Sequence, residues 1–207
     1  MPTTEPFPAR HTVEDLGDSL RFVIPSRRRW FHIAFFLFWL VGWGFGEFAV
    51  IVVLLSELTG TPLEELVGWS LISYSGGLLA LVWLVFWTIG GVLALYVLLW
   101  QLSGKEVVEV SGQSIRIQRR VIGLGRFREY LARHVQDLRI SVEGYYNTGW
   151  GWFRTLRAYG IGGGLIAFDY GAKTFRFGSG IDEAEAKQIL SAIQQRFPEY
   201  NSKAAAG

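Results

Sequence analysis

Residues 66–104 read LVGWSLISYSGGLLALVWLVFWTIGGVLALYVLLWQLSG, a run of 39 positions without Lys, Arg, Asp or Glu. A helix needs about 20 residues to cross the roughly 30 Å hydrocarbon core of a bilayer, and this run exceeds that length. A second run, residues 30–55, contains a single formal charge, Glu47. The two runs predict transmembrane helices at about residues 30–55 and 67–102.

Residues 56–65 connect the two runs, and their glycine and proline are typical of a turn, so the spans are expected to form a helical hairpin. This short outer loop contains three glutamates and no basic residue. By contrast, three arginines at positions 27–29 precede the first span, and Lys105 follows the second. Because Lys and Arg near span ends remain on the cytoplasmic side, both termini are predicted to be cytoplasmic.

The composition also favours a membrane protein, since 50% of the residues are hydrophobic and only 18% are charged, against about 25% charged in a soluble domain. The absence of cysteine excludes disulfides, thiolate metal sites and cysteine nucleophiles. The three histidines, His11, His32 and His134, are too scattered to form a histidine-rich metal site. No metal or cofactor is expected.

Residues 105–207 differ from the spans, with 15 Lys and Arg against 10 Asp and Glu. Apolar and polar residues alternate repeatedly in this part of the chain, which is typical of half-buried strands. Arg119 is an exception, because it falls on the apolar side of its strand. Strands are predicted at residues 108–110, 114–121, 126–131, 137–142, 165–168 and 173–177.

An amphipathic helix is predicted after these strands. Asp182 suits the N-cap position, and Glu185 three residues later completes a capping box. Apolar residues then recur at helical spacing until Pro198 ends the helix.

The segment before the first span also alternates, with Leu20, Phe22 and Ile24 on one face, and predicts a strand at residues 19–24. Because a hairpin returns the chain to the same side of the membrane, this strand is expected to pair with the C-terminal sheet as its edge strand. The predicted segments are a flexible N-terminus 1–18, a strand and basic flank 19–29, the spans 30–102, a cytoplasmic domain 103–198 and a flexible tail 199–207.

The predicted fold class is a membrane α-helical hairpin joined to an α+β domain, in which a bent antiparallel sheet is capped by a C-terminal helix. This layout resembles the bacterial membrane proteins that carry a pleckstrin-homology-like (PH-like) domain beside a two-helix hairpin. The resemblance covers residues 17–197 and implies a fold and an inner-membrane location, but not an activity. It rests on GDSLRFVIPSRR at 17–28, IAFDYG at 166–171, FRFGSG at 175–180 and DEAEA at 182–186.

Motifs for catalysis or nucleotide binding are not found. The glycine-rich residues 160–164 precede a strand, so they offer no helix N-terminus to a phosphate. Residues 171–174 fall in a hairpin turn and lack the Gly-Lys-Ser/Thr of a phosphate-binding loop. His134 has no accompanying nucleophile motif. We therefore expect a protein that is not an enzyme.

Glu47 is the first candidate functional residue, because an ionisable group within a span is costly and is often functional. Small residues four positions apart allow close helix packing near it, and Ser73, Tyr74 or Ser75 are candidate hydrogen-bond partners. The alternative is that Glu47 reaches the outer interface without a specific role. The candidate residues for helix packing or partner contact are Gly42, Gly46, Glu47, Gly76 and Ala80.

Basic residues form a second candidate site, since each one near an anionic leaflet adds about 1 kcal/mol of attraction. The alternative is positive-inside sorting and a solvated face. Nucleic-acid binding is not favoured, because aromatic residues are not interleaved with a basic stripe. The candidate headgroup contacts are Arg27, Arg28, Arg29, Arg116, Arg120, Arg126 and Arg128.

An aromatic loop is the third candidate, because a large apolar loop is typical of a contact surface. Its residues are Tyr145, Tyr146, Trp150, Trp152 and Phe153. These features together favour a non-catalytic accessory or scaffold subunit of a membrane complex, with membrane lipids and a membrane-protein partner or a second copy as its contacts. Alternatives are a lipid- or signal-sensing regulator and a transporter or channel component assembled around Glu47.

Overall fold

The computed structural model describes residues 10–60, 77–141 and 163–201. The chain divides into two compact units. One, here called the helical unit, comprises Arg29–Leu98. The other, here called the sheet unit, combines Met1–Arg28 with Leu99–Gly207.

The two apolar runs form helices α1, Trp30–Thr59, and α2, Gly77–Ser103. Their membrane-length parts, Trp30–Ser56 and Leu81–Ser103, have mean hydropathies of 2.0 and 2.2, and only 11% and 22% of their most apolar windows are buried. A core helix of a soluble protein is mostly buried, so this exposure agrees with the prediction of two helices able to cross a membrane. The predicted start of the second span, residues 67–76, lies outside the described residues.

The described residues of the sheet unit form two antiparallel sheets and one long helix. The first sheet has five strands in sequence order, and the second has three. The strands are β1 Thr12–Asp15, β2 Ser19–Pro25, β3 Lys105–Ser111, β4 Ser114–Arg120 and β5 Phe127–Leu131, then β6 Val135–Ile140, β7 Ile166–Tyr170 and β8 Lys173–Phe177. Helix α3 is Glu183–Arg196, and short 3-10 helices occupy Ala132–His134 and Pro198–Tyr200.

The strand before the first span joins the C-terminal sheet, as predicted: β2 pairs with β3, and Phe22 lies opposite Val108. Its predicted edge position is wrong, because β1 pairs with the other side of β2. Residues 12–15 were expected to belong to a flexible segment. Their side chains are exposed and two of them are acidic, so only the backbone pairing with β2 makes them a strand.

Both sheets and α3 share one hydrophobic core. Its fully buried members come from alternate strand positions and from one face of α3. They include Phe22, Val108, Ile115, Phe168, Phe177, Ile189 and Ile193. A single core built from antiparallel sheets and a C-terminal helix matches the predicted α+β class.

Strand β3 is longer than predicted. The alternation of apolar and polar residues is interrupted by Glu106, an acid that lies buried at an inward position. The Glu106 Oε1 atom accepts a hydrogen bond from Arg119 Nε at 3.1 Å. Its Oε2 atom accepts the backbone N–H groups of Gly178 and Ser179 at 2.9 and 3.0 Å. Arg119 therefore occupies the apolar side of β4 because it pairs with Glu106, its neighbour across the two strands.

Strand β6 begins at Val135 rather than at 137, because the pairing register shifts between Gln136 and Arg139. Asp137 lies in this irregularity with φ 48°. An extra residue moves the following side chains to the other face, so simple alternation is misleading here.

The C-terminal helix begins with the predicted capping box. Glu185 N–H donates to Asp182 Oδ1 at 2.8 Å, and Asp182 N–H donates to Glu185 Oε2 at 3.0 Å. Within the tail that was expected to be flexible, Tyr200 is buried, and its hydroxyl donates to the Ser111 carbonyl at 2.8 Å. Burial raises the pKa of Tyr200.

Candidate functional site

Two tryptophans connect the helices of the helical unit. Trp43 on α1 donates its indole N–H to the Trp87 carbonyl at 3.0 Å, and Trp87 on α2 donates to the Trp43 carbonyl at 3.3 Å. Two further rings adjoin Trp87: Trp83 stacks on it with ring centroids 4.6 Å apart, and Trp39 lies 6.0 Å away. An indole N–H in an apolar setting needs an acceptor, and each helix supplies one to the other.

Glu47 lies one helical turn after Trp43 and contacts the second helix. Its Oε1 atom accepts a hydrogen bond from the Thr88 hydroxyl at 2.6 Å. Its Oε2 atom is buried and has no hydrogen-bond partner among the described residues. The predicted contact with the second helix is present, but its donor is Thr88. The predicted partners, Ser73, Tyr74 and Ser75, lie outside the described residues. Sequence reasoning missed Thr88 because it is 41 positions from Glu47 and nothing local links the two residues.

Glycines make room for the indole rings. A Cβ atom at Gly46 would lie 3.3 Å from the Trp87 ring, and one at Gly91 would lie 2.0 Å from Trp43 Cε2. A Cβ at Gly42 would meet nothing within 4 Å, so its predicted packing role is not seen. The reason is that indole rings, and not two close backbones, fill the contact.

Gly91 was therefore missed by the small-residue pattern, which selected other positions on the second helix. The predicted Gly76 and the side chain of Ala80 lie outside the described residues. The signal that finds Gly91 is its place one turn after Trp87, since the ring of Trp43 must fit beside the helix that accepts its hydrogen bond.

The outer face of the five-stranded sheet forms an open groove of about 670 Å³. This groove, here called the outer groove, combines charged side chains with apolar ones from all five strands. Its lining residues are Glu14, Arg21, Val23, Lys105, Val107, Glu109, Arg116, Gln118, Arg120, Phe127 and Glu129.

Ion pairs cover one end of the outer groove. Arg21 contacts Glu14 at 3.4 Å and Glu109 at 3.3 Å, and Arg116 contacts Glu129 at 2.9 Å. Hydrogen bonds from the Ser114 hydroxyl and from the guanidinium of Arg116 lower the pKa of Glu129. These acids and bases balance one another within the groove.

The other end of the outer groove is unbalanced and positive. Lys105 and Arg120 lie directly opposite each other across β3 and β4. Arg120 Nε donates to Gln118 Oε1 at 2.8 Å, and neither basic residue forms an ion pair within residues 10–60, 77–141 and 163–201. Like charges placed opposite each other destabilise a sheet, so this end is suited to an anionic ligand.

The predicted basic residues do not form one face. Arg116 and Arg120 point outward from β4, whereas Arg128 lies opposite the inward Ile117 and remains exposed at the sheet edge. Arg126 is exposed in the β4–β5 connection. Arg128 is thus in the opposite phase of the pleat from Arg116 and Arg120, and Arg126 lies outside the strands.

Before the first span, Arg27 and Arg28 are exposed and Arg29 is half-buried. Arg28 Nη2 donates to the Leu102 carbonyl at 3.4 Å, close to the end of α2. The aromatic loop formed by Tyr145, Tyr146, Trp150, Trp152 and Phe153 lies outside the described residues.

The chemistry available to the outer groove is ionic and apolar contact. Its lining contains no histidine, serine, threonine or cysteine. His134 packs against the ring of Tyr170, with centroids 5.7 Å apart. Across the described parts of the chain, no three His, Asp or Glu side chains are grouped as potential metal ligands.

The described residues therefore present a polar contact between the two helices and a charged and apolar groove on one sheet face. Compared with known proteins, the chain matches no family model, no curated protein and no solved structure.

Proposed function

We propose that this chain is a non-catalytic accessory or scaffold subunit of a membrane protein complex. Its two helices anchor it in a bacterial inner membrane with both termini in the cytoplasm, and its sheet unit is a PH-like binding domain. The outer groove is the observation that carries this proposal. It is wide, open and lined by charged and apolar side chains of five strands, as expected of a surface that receives a segment of a partner.

The exposed helices support the same proposal. Apolar side chains such as Phe38, Phe45 and Phe86 are more than two-thirds exposed, so lipid or partner helices must cover them. The tryptophan contacts hold the two helices together through side chains on their facing sides, which leaves the remaining apolar surface for lipid and partner helices.

Purification of the full-length chain in mild detergent tests this function. Val107→Arg places a long charged side chain at the centre of the outer groove, and Gln195→Arg adds the same side chain to the exposed face of α3. We expect the wild type and Gln195→Arg to retain the same membrane-protein partner, and Val107→Arg to lose it. A wild-type chain that always migrates alone, or a partner that Val107→Arg retains, contradicts the proposal.

The positive end of the outer groove favours a second candidate, a regulator that senses anionic lipid. Native mass spectrometry of the full-length chain measures the lipid that it retains. In this case Lys105→Gln combined with Arg120→Gln removes bound anionic lipid, and Arg133→Gln, an exposed arginine outside the groove, does not. Equal retention by both variants contradicts lipid sensing at this end.

A further inference from the structure

The connection between β4 and β5 is a tight turn with an unusual residue. Val121 and Leu124 exchange backbone hydrogen bonds at 2.8 and 3.0 Å, and the central residues Ile122 and Gly123 have φ of 51° and 78°. Two-residue turns with two positive φ angles favour Asn-Gly or Asp-Gly. A branched side chain at φ above zero is strained, so turn geometry does not explain the isoleucine.

The same turn exposes large apolar side chains. The exposed fractions of Ile122, Leu124 and Phe127 are 63%, 80% and 67%. Residues of a solvated turn are normally polar, and a cluster of exposed apolar side chains indicates a surface that is covered in use. Local strain and exposure therefore both point to a contact made by residues 121–127, here called the β4–β5 turn.

The position of the β4–β5 turn indicates what covers its apolar side chains. The backbone N–H of Ile122 donates to the hydroxyl of Ser103 at 3.2 Å, and Ser103 is the last residue of α2. Leu102, the residue before it, is also exposed. The β4–β5 turn thus lies beside the last residues of α2, whose Leu81–Ser103 part is long and apolar enough to cross a membrane.

Basic residues lie close to the exposed apolar side chains of the β4–β5 turn. Arg120 and Arg126 are exposed on either side of the turn, and Lys105 lies opposite Arg120 on β3. Arg28 binds the Leu102 carbonyl nearby. Apolar side chains ringed by cations match the layers of a bilayer surface, where acyl chains lie beneath anionic headgroups.

We propose that the β4–β5 turn inserts Ile122, Leu124 and Phe127 into the interfacial layer of the bilayer, while Arg120 and Arg126 bind the headgroups of anionic lipids. This inference rests on the proposal that α1 and α2 anchor the chain in a membrane. The turn then acts as a third membrane attachment, which holds this end of the five-stranded sheet at the lipid surface.

The native chain has no cysteine, so a single spin label reports on one position. Leu124→Cys places the label in the β4–β5 turn, and Gln113→Cys places it in the exposed β3–β4 turn at the opposite end of the same sheet. Both full-length variants are reconstituted in vesicles of phosphatidylglycerol and phosphatidylcholine. We expect the label at 124 to be accessible to oxygen and protected from a water-soluble nickel relaxant, and the label at 113 to show the reverse.

A second variant separates insertion from folding. Ile122→Asn suits the positive φ of the turn, so we expect it to keep or raise the melting temperature while it increases nickel access at position 124. Arg126→Gln should also increase nickel access at position 124, but only in vesicles that contain phosphatidylglycerol. Equal nickel access at 124 and 113 in chains that float with vesicles overturns the insertion alone, whereas chains that do not float contradict the membrane anchor as well.

Discussion

Trp43 and Trp87 donate their indole N–H groups to each other's main-chain carbonyls, at 3.0 and 3.3 Å. Each bond ties a side chain of one helix to a fixed level of the other, so together they set the relative height of α1 and α2. Glu47 lies one turn after Trp43, and Thr88 is the residue after Trp87. Their hydrogen bond, 2.6 Å long, is a third polar contact between the helices. The helical unit is thus held together by side chains that a hydropathy profile counts mainly as apolar.

Gly91→Ala tests the space that Trp43 requires. The added Cβ would lie 2.0 Å from the Trp43 ring, so the indole must move and its hydrogen bond to Trp87 weakens. We expect a loss of about 1–3 kcal/mol in unfolding free energy, the usual cost of overpacking. The measurement is thermal unfolding in detergent, followed by tryptophan fluorescence.

Gly90→Ala is the matched control, because a Cβ at this neighbouring position meets nothing within 4 Å. It should leave the melting temperature unchanged or slightly raised. If both alanine variants melt alike, the indole does not occupy the position described.

The Glu47–Thr88 hydrogen bond is best measured by a double-mutant cycle. Thr88→Val removes the donor, and Glu47→Leu removes the acceptor. We expect a coupling of about 0.6 kcal/mol, the average for interhelical hydrogen bonds in membranes, and at most about 1.7 kcal/mol. Additive effects of the two substitutions would show that the bond contributes nothing in the bilayer.

Glu106→Leu removes the acceptor of Arg119 Nε and of the backbone N–H groups of Gly178 and Ser179. Arg119 is one-third exposed and can bind water instead, but a buried donor without an acceptor costs about 1–3 kcal/mol, so we expect a clear fall in the melting temperature of the sheet unit. Hydrogen exchange of the full-length chain should locate the loss of protection in β3, β4 and the segment after β8.

Glu109→Gln, in the same strand, is the control for this substitution. Glu109 points outward and its ion pair with Arg21 is partly exposed, so the change should cost less than about 1 kcal/mol. Similar destabilisation by the two variants would mean that Glu106 acts only through the general charge of β3.

Acid should destabilise the sheet unit partly through Asp169. A hydrogen bond from Arg139, at 2.8 Å, lowers the pKa of Asp169 below its ordinary value in the unfolded chain. The stabilisation is therefore complete above the unfolded pKa of about 3.9, and it is lost as the pH falls through the lower folded pKa.

Melting temperatures measured from about pH 5 down to about pH 2 test this linkage. Asp169→Asn should flatten the acid limb of the profile, and Arg139→Gln should flatten the same limb because it removes the cause of the shift. An unchanged limb in both variants would assign the acid sensitivity to other carboxyl groups.

Several elements could be predicted from the sequence because their causes are local. Long apolar runs are sufficient to predict α1 and α2, and alternation of apolar and polar residues is sufficient to predict β2, β8 and, except for Arg119, β4. The capping box of α3 needs only Asp182 and Glu185, three residues apart. In each case the interacting groups are close in the chain, so spacing alone indicates the structure.

Other features depend on partners that are distant in sequence, and only the tertiary structure decides them. Glu106 and Arg119 look misplaced on the apolar sides of their strands until β3 pairs with β4 and joins them. Thr88 has no visible role until α2 places it beside Glu47, which is 41 positions away. The pairing of β4 with β5 likewise separates Arg128 from Arg120. The residues next to a charged or polar side chain do not reveal a partner that is distant in sequence. Hydrophobicity and strand alternation, by contrast, can be recognised from neighbouring residues.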